Sequence, residues 1–473
     1  MTRTMDDPAA GALDTHEGLQ DFALGDDYAL NPRYVELVVD AADRNDTRRL
    51  AELLAALRPA DVADLMGFLQ ADYRDEVLAQ LAPDVLAEVL PELDDQIRED
   101  VLEDIAPAQL AAAVAELDSD DAAAVVEDLE EHKRNAVLAA MPELERAAVV
   151  SSLSHQEDSA GRLMQREVVA APQFWTVGHA IDHMRGAPDD LPDQFFDIYV
   201  VDPAFRPVGA VPLATLLKAR RDIRLADLME PVTEIDVGQD QEEVAYIFEK
   251  YRLISAPVVD ESGRLVGQIT VDDIVGVLQE ENQEDILALA GVGDEGRDAT
   301  TLGATRSRLP WLLVNLLTAL VSASVISLFG ASIEQLVALA VLMPIVASLG
   351  GNAGTQALTV TVRALALREL NASNAFRLVR REVKVALING SVLATLTGFA
   401  AGFWFRNPGL GGVIALAMIV NMMAAGLAGA LVPLTLSRAH QDPAVSSSVF
   451  VTAVTDIVGF FVFLGLATVI LLG

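Results

Sequence analysis

Five apolar stretches, one after another beyond Pro310, constrain this chain more than any other feature. They run over approximately 311–330, 335–362, 383–405, 411–436 and 446–472. Each supplies the roughly 20 residues that a helix needs to cross a bilayer. A soluble helix bundle has no use for such runs in series, whereas lipid demands them because every exposed polar group there is costly. The arginines orient the spans. Arg306 and Arg308 precede the first, and Arg363, Arg368, Arg377, Arg380, Arg381 and Lys384 lie between the second and third. Arg438 lies between the fourth and fifth, and the opposite loops hold only Arg406. Excess Lys and Arg marks the cytoplasmic side. The expectation is a multi-pass protein of the cell (inner) membrane, embedded in lipid, with its N-terminal half in the cytoplasm and its C-terminus outside.

Charge divides the chain in the same place. From Thr301 onward five carboxylates stand against ten Arg and Lys, a net +5, which leaves −42 on the rest out of a total of −37. So acidic a half repels the phosphates of nucleic acid, and no nucleic-acid partner is expected. Two readings of the acidity stay open: attraction of divalent cations, and solubility in a salty cytoplasm. The absence of cysteine excludes disulfides, thiolate metal sites and cysteine nucleophiles. The six histidines are scattered; His179 and His183 sit four apart, on an ordinary amphipathic helix, and read as structural. No nucleophile–base set or phosphate-cradling loop is present, so the chain is not expected to be an enzyme. Ahead of the first apolar anchors, residues 1–27 read as a disordered N-terminus.

Within the spans one ionisable residue stands out. Asp456 sits well inside the last one, and a carboxylate at that depth marks an ion or proton path by default. The alternative is an interhelical hydrogen bond to a Ser or Thr. Thr452 and Ser448 precede it at one-turn intervals, so a polar stripe leads to the acid. The second span reads Met343-Pro344-Ile345-Val346-Ala347-Ser348-Leu349-Gly350-Gly351-Asn352-Ala353-Gly354-Thr355-Gln356. Pro344 and the glycine pair predict a broken or kinked helix that offers backbone carbonyls to a cation. The competing reading is close helix packing through small residues. Asn352 and Gln356 share one face and favour the first. Magnesium suits this chemistry, because it holds its water tightly and is bound through one or two carboxylates. Soft transition metals favour His, Cys or Met, and the spans carry no His or Cys.

The cytoplasmic half holds two kinds of repeat. Leu57, Leu69, Leu81, Leu93, Ile105, Leu117, Leu129, Met141 and Leu153 fall every 12 residues, with Pro59, Pro83 and Pro107 at twice that spacing. Units this short cannot bury their own apolar face, so they stack into an α-helical superhelix, and proline fits the first turn of alternate helices. Farther on, Val200-Val201-Asp202 and Arg206-Pro207-Val208-Gly209 recur 58 residues later as Val258-Val259-Asp260 and Arg264-Leu265-Val266-Gly267. These two α+β units resemble tandem cystathionine-β-synthase-type (CBS) domains. That resemblance implies either binding of an adenosine nucleotide such as ATP or sensing of ionic conditions. Thr270 and Asp273 have the spacing used for a ribose, while the first unit has Pro212 at the Thr position. Beyond them Glu280/Glu284 and Glu281/Asp285 repeat acid at four-residue spacing on a predicted helix, a like-charge arrangement that a divalent cation would relieve.

Gly350-Gly351-Asn352-Ala353-Gly354-Thr355-Gln356, Asp442-Pro443-Ala444, Thr455-Asp456-Ile457-Val458-Gly459 and Arg308-Leu309-Pro310-Trp311-Leu312 together resemble the MgtE family of magnesium transporters. The resemblance covers nearly the whole chain. It implies a homodimeric, magnesium-gated channel for Mg2+ with Asp456 as the pore acid and Asn352 and Thr452 beside it. It further implies regulatory Mg2+ at Asp273, Glu281, Glu284, Asp285 and Asp442, with Asp240 and Glu242 facing an N-terminal domain that contributes Asp120. Arg252 stands where a further acid is implied. The expected architecture is a multidomain membrane protein: a superhelical N domain over 28–160, CBS domains over 161–222 and 223–279, a connecting plug helix over 280–308 and a five-helix transmembrane domain over 309–473. Two rivals stay open. A secondary exchanger would depend on a coupling-ion gradient, and a non-transporting sensor would have no need of an intramembrane acid.

Overall fold

The computed structural model describes residues 16–25, 27–187, 191–192, 194–292, 301–370, 374–439 and 447–472. The chain forms two compact units that meet between Gln279 and Glu280. The first begins with helices α1–α11, from His16 to Ser152. The 12-residue repeat builds their core: Leu69, Leu93, Ile105, Leu129 and Met141 are buried, and Leu57, Leu81, Leu117 and Leu153 pack against them. Several of these residues stand just past a helix end. Leu69, Ile105, Met141 and Leu153 close α4 (Pro59–Phe68), α7 (Asp95–Asp104), α10 (Glu131–Ala140) and α11 (Glu143–Ser152). Pro59, Pro83 and Pro107 open α4, α6 (Pro83–Val89) and α8 (Pro107–Val114), where a missing N–H costs nothing.

Helices this short leave many carbonyls unpaired at their C-termini, and arginines from the next helix take them up. Arg74 Nε donates to Met66 O and Leu69 O at 3.1 Å, and Arg134 Nε donates to Val126 O at 3.1 Å. Residues 16–23 lie within the stretch expected to be disordered. They form α1 (His16–Ala23) because Leu19 and Ala23 are buried against the solenoid.

After α12 (Ala160–Leu163) come two modules of like topology. In the first, β1 (Ala170–Pro172) pairs parallel with β2 (Asp197–Val201), which pairs antiparallel with β3 (Pro207–Pro212); α13 (Val177–Gly186) and α14 (Leu213–Lys218) complete it. In the second, after α15 (Leu225–Leu228), β4 (Ile235–Asp236), β5 (Ser255–Val259) and β6 (Leu265–Thr270) repeat that order, with α16 (Gln241–Tyr251) between β4 and β5. The duplication reaches the register. Asp197 faces Pro212 as Ser255 faces Thr270, and a bulge falls at Val200/Val201 as at Val258/Val259. The tight turns match too, with Phe205 at φ 62° where the second module has Gly263 at 76°. The modules are joined by hydrogen bonds from Leu265 N to Phe205 O (2.9 Å) and from Tyr199 Oη to Ser255 Oγ (2.9 Å). From β6 the chain enters α17 (Val271–Ala290), which runs on into the second unit.

Five helices of that unit are long and apolar enough to cross a membrane: α18 (Thr301–Ser327), α20 (Ala338–Ala366), α21 (Ala375–Trp404), α22 (Pro408–Arg438) and α23 (Ser447–Ala467). The short α19 (Gly330–Gln335) joins the first two, and a π-helical turn, Thr468–Leu472, extends the last. The shortest span, 25 residues with that turn, reaches about 38 Å, more than the ~30 Å hydrocarbon core. The central helix is α22, which packs on α20, α21 and α23. Glycines allow that approach: a Cβ placed on Gly429 would stand 2.5 Å from the Gly354 carbonyl oxygen.

The break expected in the second span is not there. α20 runs unbroken from Ala338 to Ala366 with Pro344 inside it. Proline forgoes one N–H, whereas a full break within lipid would leave several backbone groups unpaired, so continuity wins. At the other end of this unit the tail of α17 is anchored. Its Ala288 is buried with Leu358, Val362 and Val451, at the ends of α20 and α23 that the arginines assign to the cytoplasm.

Candidate functional site: ion path and acidic docking face

In α23 the hydroxyl-bearing residues before the acid satisfy themselves along their own helix. Thr452 Oγ1 donates to Ser448 O (2.9 Å) and Thr455 Oγ1 to Thr452 O (2.9 Å). Thr455 is fully buried, while Thr452 and Asp456 are half-buried. Among the described residues none gives the Asp456 carboxylate a hydrogen bond or an ion pair. Its cost at that depth is therefore not met by the Ser/Thr bond considered as the alternative.

Two faces of α20 divide the roles that its glycines and amides were expected to share. Gly350, Gly354 and Thr361 are buried, whereas Ser348, Asn352, Thr355, Gln356 and Thr359 form an exposed polar stripe. Gly354 meets α23 directly, since a Cβ there would lie 2.5 Å from Val451 Cγ1 and 3.6 Å from Thr455 Cγ2. Gly351, by contrast, has no neighbour within 4 Å. Small-residue packing thus explains Gly350 and Gly354, and the amides stand on the other face. The structure brings Thr455, the residue before Asp456, against α20; it leaves Asn352 and Gln356 outward.

The second constellation lies inside the first unit. α9 (Ser119–Glu127) begins Ser119-Asp120-Asp121, and α17 begins Val271-Asp272-Asp273. These two N-termini face one another, so four carboxylates meet at two positive helix ends. Burial, then the nearby Asp273 carboxylate, then Asp121 hold Asp120 well above the usual carboxylate range. Burial and Asp272 push Asp273 up to about 7, against the bonds it accepts from Thr270. Burial, with Asp118, Glu92 and Asp272, pushes Asp121 up to about 6. Such acids stay packed together only when a cation or a proton offsets their repulsion. Hydrogen bonds and an ion pair hold the flank of this face. Ser119 Oγ donates to Glu167 Oε2 (2.9 Å) and accepts from Arg166 N (2.8 Å), and Arg162 Nε donates to Glu127 Oε2 (3.0 Å). Asp121, Asp272 and Glu167 were not singled out from sequence. For Asp121 and Asp272 the signal was present as an acid pair at each of two helix starts, and for Glu167 there was none.

The remaining expected residues are dispersed. Asp240 is the N-cap of α16, its Oδ1 accepting from Glu242 N (3.0 Å), and it bridges to Ser159 at the end of the solenoid. Glu281, Glu284 and Asp285 lie on the half of α17 that belongs to the second unit. Asp442 lies outside the described residues. Arg252 ends α16 in the left-handed region, φ 56°. The pair considered for ribose is bonded internally: Thr270 Oγ1 donates to Asp273 Oδ2 (3.0 Å), which stands at the docking face. Among the described residues no three His, Cys, Asp or Glu side chains enclose a metal position. Facing acids of this kind suit a divalent cation that keeps much of its water.

Known proteins match over these same segments. Family profiles align with residues 36–158 (MgtE intracellular N domain), 225–280 (CBS domain) and 343–466 (MgtE, divalent cation transporter). The magnesium transporter MgtE of Bacillus subtilis is 35% identical over 313 residues, 66% of this chain and 69% of that protein. Its counterpart in Thermus thermophilus is 35% identical over 321 residues, covering 67% and 71%. Among solved structures, the cytosolic domain of the Mg2+ channel MgtE in complex with ATP is 34% identical, covers 51% of this chain and 99% of that one, and superposes with a TM-score of 0.49. The profiles fall on the solenoid, the second module and the spans from α20 to α23, and the chain belongs to the MgtE family of divalent cation transporters.

Proposed function

We propose that two copies of this chain form a channel that admits Mg2+ to the cytoplasm and closes when cytoplasmic Mg2+ is high. Two observations on adjoining helices carry this reading: Asp456, with no hydrogen bond or ion pair among the described residues, and the exposed stripe Ser348–Asn352–Gln356. Lipid cannot cover such a stripe without leaving its polar groups unpaired. A second copy related by a two-fold axis can, and it sets two carboxylates around one water-filled route. Oxygen ligands acting through a hydration shell favour Mg2+ over softer metals. The membrane potential, negative inside, drives the ion inward past Asp456, with Thr452 and Asn352 beside it.

Closure follows from the acidic faces. Mg2+ between Asp120 and Asp273, with Asp121 and Asp272 beside them, offsets their repulsion and holds the solenoid docked. Further Mg2+ at Asp240 and Glu242, and at Glu281, Glu284, Asp285 and Asp442, holds the tail of α17 at the cytoplasmic mouth. When Mg2+ falls, the carboxylates repel and the tail is released. An adenosine nucleotide, whose ribose hydroxyls would seek Thr270 and Asp273, competes with docking in this scheme, because Asp273 serves both. The N-terminal domains are cytoplasmic and the C-terminus lies outside.

Uptake into proteoliposomes tests the path. Asp456→Asn should reduce Mg2+ entry at least tenfold, on the order of the cost of losing one ion-stabilising charge, with unchanged protein amount. Entry equal to wild type would overturn the reading, and entry that follows an imposed Na+ or H+ gradient would favour an exchanger.

A further inference from the structure

One polar residue of the membrane unit belongs to neither site. Asn421 is on α22, with no exposed surface. Its Nδ2 donates to Val346 O of α20 at 2.9 Å, while its Oδ1 has no partner among the described residues. Both neighbouring helices present glycine to its amide. A Cβ on Gly459 of α23 would lie 2.8 Å from Asn421 Nδ2, and one on Gly350 of α20 would overlap the same atom. Any other residue at either position would expel the amide. A buried asparagine is costly in an apolar core, and leaving its oxygen unpaired adds to that cost. Stability alone does not account for it, since an apolar side chain there would carry no such desolvation cost.

What the amide provides is position. It touches the two helices that carry the candidate path and no part of the path itself. Gly350 lies two residues before Asn352 and Gly459 lies three after Asp456. One hydrogen bond fixes α20 along its axis and in rotation, and one contact fixes how near α23 may come. Directional bonds of this kind specify register where apolar packing permits several.

We propose that Asn421 is a positioning residue for selectivity: its amide, wedged between Gly350 and Gly459, sets the spacing and rotation of the Asn352-bearing and Asp456-bearing helices. The proposal rests on the reading that these two helices line the ion route. Displacing either by a fraction of an ångström changes which hydrated ion is accommodated, and shifts on that scale alter rates steeply.

The test compares Mg2+ with the larger Ca2+ in proteoliposomes holding equal amounts of full-length protein. Asn421→Leu keeps the branching at Cγ and removes the bond to Val346. It should change the Mg2+/Ca2+ flux ratio about tenfold, whereas loss of folded protein alone scales both fluxes together. Asn421→Ser, which keeps polarity but cannot reach Val346, should shift the ratio in the same direction. An unchanged ratio in folded variants would overturn the proposal, and so would failure of both variants to fold, which would make Asn421 a general requirement of the bundle. Asp456→Asn in the same assay separates the two levels: if it leaves flux intact, the ion-path reading fails as well.

Discussion

The four carboxylates of the docking face repel one another, and that repulsion makes them useful. Burial and neighbouring carboxylates, among them those that meet across this face, raise the proton affinity of Asp120, Asp121 and Asp273. A carboxyl whose pKa rises on docking binds protons better in the docked state, so without divalent cations docking tightens as pH falls. The window follows from where these carboxyls are pushed, about 7 for Asp273 and about 6 for Asp121. In chelator, backbone amides of α9 should exchange more slowly, after correction for intrinsic rates, near pH 6 than near pH 8. Excess Mg2+ should reduce the difference, because it takes the place of the protons. Asp120→Asn removes both the repulsion and a ligand. It should therefore tighten docking without Mg2+, loosen it with Mg2+, and flatten the response read by the same exchange measurement. A variant with the full Mg2+ response would show that the ion binds elsewhere.

At the scale of elements, most of what was legible in the sequence depended on periodicity. A 12-residue apolar repeat, a 58-residue duplication and five long apolar runs each state which face is buried, and the structure builds the core from those residues. Periodicity does not state which faces meet. The partnership of α9 with α17 could not be read from either helix alone, nor could Asn421 between two glycines 71 and 38 residues away in the chain. Pro344 and the glycine pair misled for a related reason. Local propensity argues for a break, but the bilayer penalises one more heavily than the loss of a single N–H. The two readings separate at adjacent residues. Gly351→Ala should fold as well as wild type, having no neighbour within 4 Å. Gly354→Ala drives a methyl to 2.5 Å from Val451 Cγ1 and should cost about 1–3 kcal/mol, measured as thermal stability in detergent.

The whole molecule is a charge asymmetry set across a membrane boundary: −42 on the first 300 residues and +5 on the remainder. Charge of that size on the cytoplasmic side has no catalytic role here, and it raises the local concentration of divalent cations around the acids that sense them. Transport and sensing then use one chemistry, hydrated Mg2+ on carboxylate, at two depths. In the proposed channel Asp456 of each copy meets the ion singly and lets it pass, while the cytoplasmic acids meet it in groups and hold it. In the proposed scheme the tail of α17, with Ala288 seated against Leu358, Val362 and Val451, carries the second event to the first.

That coupling is best tested by recording Mg2+ current across excised membrane patches while Mg2+ is varied on the cytoplasmic face. Wild-type current should fall as inner Mg2+ rises, and the combined Glu281→Gln, Glu284→Gln and Asp285→Asn variant should keep conducting at concentrations that silence the wild type. A wild-type current indifferent to inner Mg2+, or a triple variant that closes as readily, would contradict the account.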